Sequence, residues 1–237
     1  MNNGFLIFLG VLFTVLWSWY GFIVKNFREV GRQEPAKLLT GAAYPSGRPN
    51  IANYGQEVYQ ANGCAACHTM QVRPFGYGAD TERGWGRRNT VLRDFVYDDH
   101  VFLGQARIGP DLAGIGNRAY ATREWQLIHL YNPRLVVTNS YMPQYPYLFE
   151  EQKNRGQRSP NALPLPPGTV EDGYEVVPTR EALALVDYLL SLKTDTPIFE
   201  APLNPPPKPT NETAQAAAPG TNTTSTTNAP APTNSQQ

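Results

Sequence analysis

The chain has 237 residues, 20 basic against 20 acidic side chains and a formal net charge of zero, which excludes the clustered basic excess of a nucleic-acid surface. Its 22 prolines and 20 glycines describe a loop-rich body with at least one unstructured stretch. The length allows one sizeable domain with appendages, or two small ones.

In chain order, the first element is apolar. Phe5 to Val24, "FLIFLGVLFTVLWSWYGFIV", carries no charge and ends at Lys25. Twenty such residues at ~1.5 Å each span roughly 30 Å, the hydrocarbon thickness of a bilayer. Trp17, Trp19 and Tyr20 gather toward one end, as interfacial aromatics do. A cleaved signal peptide is the rival reading, but the run is too long for an h-region and no basic residue precedes it. The expectation is a single-span anchor over 1–24, followed by a polar tether over 25–50. Lys25, Arg28 and Arg32 lie just after the span, and the positive-inside tendency would by itself put the rest of the chain in the cytoplasm.

Residues 51–63, "IANYGQEVYQANG", read as a short helix stopped by Asn62-Gly63. Residues 69–118 lack sustained periodicity and read as loops with short helical turns. A helix is expected from Thr122 to Tyr131, stopped by Asn132-Pro133, and residues 143–178 read as proline-dense loop. The last ordered element is "TREALALVDYLLSLK", with Thr179 as N-cap and Leu183, Val186, Leu189 and Leu190 forming one apolar face. A main domain over 51–195 therefore precedes a Pro/Thr/Ala/Asn-rich tail over 196–237, whose composition cannot bury enough apolar surface to order itself.

Both cysteines of the chain fall in "GCAACHTMQVRP", as Cys64 and Cys67, with His68 directly after. A structural zinc site would need four ligands, and a thioredoxin-like pair would need a strand–helix junction. A disulfide closing so small a ring would stabilise little. Covalent attachment of one haem c accounts for every element: two thioethers to the vinyl groups, and an adjacent imidazole for the iron. An electron-transfer haem needs a sixth ligand. Met70 lies too close to His68 in sequence to reach the opposite face, which leaves Met142, in "NSYMPQYP", as the distal ligand. In "RIGPDL" the Pro110 carbonyl is the expected acceptor for the His68 ring N–H. Arg73, Arg107, Arg118 and Arg134 are candidate donors to the haem propionates, the alternative for each being a solvated surface role. His100 and His129 are assigned structural or propionate-contact roles, and Trp85 and Trp125 packing roles.

These residues carry a resemblance. "GQEVYQANGCAACH", "VRP", "VYDDHVFLG", "RIGPDLAGIGNR", "EWQLIHLYNPR" and "NSYMPQYPYLF" resemble the membrane-anchored monohaem cytochrome c subunit, subunit II, of cbb3-type haem–copper oxidases. The resemblance implies a mainly α fold: one transmembrane helix, then a class I cytochrome c-like domain with long loops and a disordered tail. It implies that the C-terminal helix crosses the N-terminal one at a small residue, Gly55 against Tyr188. It also implies export of the haem domain to the periplasmic side of the bacterial cytoplasmic membrane, against the charges flanking the anchor. The partners would be the catalytic haem–copper subunit, other cytochrome c subunits and a donor cytochrome. No acid–base pair or nucleophile constellation stands out, so the expected role is electron relay without bond chemistry of its own. A nitric oxide reductase haem c subunit and a free-standing anchored carrier remain the alternatives.

Overall fold

The structure is a computed structural model that describes residues 3–154 and 156–205; most of the expected tail, from 206 on, lies outside the described residues. Helix α1 runs over Gly4–Val30 with a mean hydropathy of 2.0 in its most apolar window and no buried residue. It is continuous, with one wide turn at Tyr20–Val24. A helix this long and apolar, with none of its residues buried among the described residues, fits a membrane anchor.

The folded body is built on two crossed helices. Helix α2, Asn50–Ala61, starts after Pro49, whose φ of −59° presets the first turn. It buries Ala52, Gly55, Val58 and Tyr59, one face at helical spacing. Helix α3, Arg123–Tyr131, is capped by Thr122, whose side chain accepts from the Trp125 N–H at 3.2 Å. Helix α4, Arg180–Ser191, is capped by Thr179, which accepts from the Ala182 N–H at 3.3 Å. Helices α2 and α4 cross so closely that a Cβ on Gly55 would lie 1.9 Å from the Ala184 carbonyl oxygen and 2.8 Å from Tyr188 Cβ. Gly55 is thus the contact point, as the resemblance implied.

The buried face of α4 differs in phase from the expected one. Ala182, Ala184, Leu185, Val186, Tyr188 and Leu189 are buried, while Leu183 and Leu190 are half-buried at its edges. The small alanines turn inward because α2 approaches too closely for leucine there.

Two hairpins were not expected. Strands β1, Ala36–Lys37, and β2, Ala43–Tyr44, pair antiparallel inside the stretch read as tether. Strands β3, Phe149–Lys153, and β4, Tyr174–Pro178, pair from Phe149↔Pro178 to Lys153↔Tyr174 inside the stretch read as loop. The second hairpin holds the intervening segment through the Leu163 N–H, which donates to the Val176 carbonyl at 2.8 Å. The chain also stays packed beyond residue 195. Ile198 and Ala201 are buried with Tyr44 in a small second core, flanked by Ala36, Leu38 and Val91. Burial of these side chains places 196–205 with the domain, and ties 34–44 to it as well. The main core joins α2, α3 and α4 to Met70, Val72, Leu112, Leu148 and Phe149.

Candidate functional site

The site begins where α2 ends. Gly63 takes φ +66°, a left-handed value that turns the chain off the helix axis. A 3-10 turn at Cys64–Ala66 follows, and the His68 N–H donates to the Cys64 carbonyl at 3.0 Å. This single turn presents Cys64, Cys67 and His68 together. Both cysteines are half-buried free thiols; burial pushes Cys64 up to about 11, so it stays protonated and neutral.

The His68 ring is held from a second loop. Its Nδ1 lies 2.8 Å from the Pro110 carbonyl oxygen. A carbonyl only accepts, so Nδ1 carries the proton and Nε2 keeps a free lone pair. Burial lowers the ring's pKa, which favours this neutral form. Gly109 lies flat against the imidazole: a Cβ there would come 2.3 Å from His68 Cε1. The loop is stitched in place by backbone bonds from Gly109 N to Cys67 O, 3.0 Å, and from Leu112 N to Thr69 O, 2.8 Å. Fully buried Asp111 completes the seam. It accepts from Thr69 Oγ1 at 2.6 Å, the Gln71 N–H at 2.7 Å and the Ala113 N–H at 2.9 Å.

Cys64, His68, Pro110 and Met142 line one largely apolar cavity together with residues of α3 and α4. Met142 arrives on the loop after α3, which is fastened by the Tyr145 N–H to the Leu130 carbonyl at 3.0 Å. Met70 goes elsewhere. It is buried in the main core, where its Sδ accepts from the Tyr188 hydroxyl at 3.5 Å.

The four arginines part company. Arg118 lines the cavity and spends only Nη2 on the protein, donating to the Trp85 carbonyl at 3.1 Å and to the Asp111 carbonyl. Arg107 is engaged with Asp80 at 2.5 Å, and its guanidinium, like that of Arg83, stacks over Trp85. Arg73 is half exposed, with Nε 3.9 Å from the same Asp80. Arg134 is exposed, and its backbone N–H serves the Asn132 cap. Of the two other histidines, His100 is exposed. His129 lines the cavity and stacks on Trp125 with ring centroids 4.6 Å apart. Burial, and then the neighbouring His68, pull its pKa down to about 4.

Chemistry tests whether this cavity suits a haem. Among the described residues, Arg118 Nε and Nη1, Gln126 Nε2, His129 Nδ1 and Tyr59 Oη are buried without a hydrogen-bond partner, and all belong to cavity-lining residues. Buried polar atoms normally find partners, and all five can donate. A cavity with apolar walls and unspent donors fits a flat apolar ring bearing carboxylates. An imidazole Nε2 at His68 and a thioether at Met142 are a donor pair that iron in such a ring takes, and the Cys64 thiol beside them can join the ring's edge through a thioether. The residues fit. Sequence reasoning missed Tyr59, Gln126, Gly109 and Asp111. Gln126 left a trace as a polar residue three before His129 on the same helical face, and Gly109 and Asp111 stand inside the quoted RIGPDL segment.

Residues 48–165, about half of the chain, match the model of the family described as "Cytochrome C oxidase, mono-heme subunit/FixO". Comparison with curated proteins gives no match.

Proposed function

The chain belongs to the family of mono-haem cytochrome c oxidase subunits, and from that premise we propose that it carries one covalent haem c and relays electrons to the catalytic haem–copper subunit of a cbb3-type oxidase. The observation that carries this reading is convergence. Cys64, His68 and Met142, drawn from two distant stretches of chain, line one cavity whose lining residues include five buried polar atoms without protein partners.

Cys64 and Cys67 would hold the group through thioethers, and His68 Nε2 and Met142 Sδ would bind its iron. Haem c supplies a one-electron iron couple, which a thioether ligand biases toward the reduced state. The protein's own residues orient and tune. The Pro110 carbonyl, accepting from Nδ1–H, fixes the plane and basicity of the His68 ring. Gly109 leaves no room for that ring to tilt toward it. Arg118 and Gln126 offer N–H donors for carboxylates, and the apolar walls keep water away. The haem-bearing domain lies on the periplasmic side, where thioether attachment takes place, although Lys25, Arg28 and Arg32 favour the reverse orientation. Electrons arrive from a donor cytochrome.

Denaturing gels stained for haem, with acid–acetone extraction, test the reading. The parent should keep its pigment through both treatments, and Cys64→Ser/Cys67→Ser should lose it. A colourless parent, or pigment released by acidified acetone, would overturn the assignment. Copper content and oxygen uptake of the purified complex would then test the oxidase partner.

A further inference from the structure

The stretch that joins anchor to domain is built as a joint. The N–H groups of Arg32 and Gln33 still donate to the Glu29 and Val30 carbonyls, at 3.3 and 3.2 Å, so the winding of α1 continues to Gln33. The very next residue is already held by the domain. The Glu34 carbonyl accepts from Arg93 Nη1, and the same guanidinium pairs with Glu200. The β1–β2 hairpin follows and delivers Tyr44 to the buried pair Arg88–Asp94, whose side chains are both 0% exposed.

All five N–H donors of Arg88 are spent. Nε donates to the Thr196 carbonyl at 2.7 Å and Nη1 to the Asn89 carbonyl at 2.9 Å. Two bonds of 3.0 and 2.6 Å go to the Asp94 carboxylate, and the last, 2.9 Å, goes to the Tyr44 hydroxyl. That hydroxyl donates onward to Asp94 Oδ1 at 2.8 Å. A guanidinium removed from water is tolerated only when its donors are matched, so this site admits one arrangement of its neighbours. Four parts of the chain meet at it: the hairpin, Asn89, the turn carrying Asp94, and Thr196. Past the hairpin, Arg48 pairs with Asp98 before α2 begins.

We propose that residues 34–44 are a rigid bracket, closed on Arg88, that fixes the domain relative to the end of α1. The cavity is thereby held at a set position over the membrane face instead of swinging on a tether. The inference rests on α1 being a membrane anchor and deepens the relay reading: a fixed relay serves one bound acceptor, whereas a swinging one suits a carrier.

Two insertions test it in full-length protein in lipid nanodiscs. Nitroxides at Asn26→Cys and Glu124→Cys report the distance between anchor and domain by pulsed electron paramagnetic resonance. The parent should give one narrow distance distribution. Gly-Ser-Gly inserted between Gly47 and Arg48, downstream of the hairpin, should leave it unchanged, because the bracket still holds Tyr44. The same insertion between Gln33 and Glu34, upstream of the bracket, should lengthen and at least double its width. A broad parent distribution, or equal broadening by both insertions, would overturn the proposal. Failure of the anchor reading shows separately, as protein recovered without detergent. Failure of haem attachment shows as extra labelling at Cys64 and Cys67.

Discussion

Gly109 shows how much a single absent side chain decides. Its Cα approaches the His68 ring so closely that a methyl group would sit 2.3 Å from Cε1, well inside contact distance. Gly109→Ala must tilt the ring or push back the Pro110 loop, and either movement stretches the 2.8 Å bond from Nδ1 to Pro110. Overpacking of this kind costs about 1–3 kcal/mol. For a domain of this size that corresponds to roughly 2–4 °C of melting temperature per kcal/mol. The expected result is therefore a melting temperature lower by about 2–12 °C, with a changed absorption spectrum, measured by thermal denaturation and visible absorption. At this scale the sequence was partly legible. Cys64, Cys67, His68 and Met142 could be singled out because their chemistry and spacing are rare. Gly109, Asp111, Gln126 and Tyr59 could not, because a residue's value there depends on what another loop brings against it, 40 residues away for Asp111 and Gln71.

The element scale turns on the crossing of α2 and α4. Ordinary packed helices sit 8–10 Å apart; here the backbone of α4 fills the place of a side chain on Gly55. Gly55→Ala cannot be absorbed by a rotamer change, since the nearest atom, 1.9 Å away, is a main-chain carbonyl. Parting the helices would disturb Tyr59, which packs edge-on to Tyr188 at 5.5 Å and also lines the cavity. The expected loss is about 3 kcal/mol or more, seen as a lower denaturant midpoint, together with reduced pigment retention. The helices themselves could be read from local signals: Thr122 and Thr179 as caps, and Asn62-Gly63 and Asn132-Pro133 as stops. The β3–β4 hairpin could not. Its strands "FEEQK" and "YEVVP" lack a clean alternation and are separated by a proline-rich segment. What makes them strands is pairing across that gap, a non-local event. The face of α4 was misread by one position for a related reason. Leucines attract a core assignment, yet close helix approach selected Ala182 and Ala184.

At the scale of the whole molecule, the ends of the domain are held by the middle. Thr196 supplies an acceptor to Arg88, and Ile198 and Ala201 bury against Tyr44. Truncation after Asp195 would remove all three. The Arg88 Nε would be left buried without its acceptor, a defect worth about 1–3 kcal/mol, and two apolar residues would be lost from the second core. A melting temperature lower by about 5 °C or more is expected, with faster amide exchange at Tyr44 and Val91. An unchanged melting curve would mean that the second core contributes nothing. Composition had assigned residues 196–205 to the tail and residues 34–44 to a tether, because both are polar and proline-bearing. Neither packs by its own pattern. Each is ordered by an arginine elsewhere in the chain, a kind of dependence that a local window does not contain.

Asn204 donates its N–H to the Arg87 carbonyl at 2.7 Å and its side-chain amide to Thr81 at 3.2 Å. Glu200, four residues earlier, shares the Arg93 guanidinium with the Glu34 carbonyl, so this late segment passes directly beside the residue that follows the winding of α1. A dye carried at position 200 would therefore report from the junction between anchor and domain.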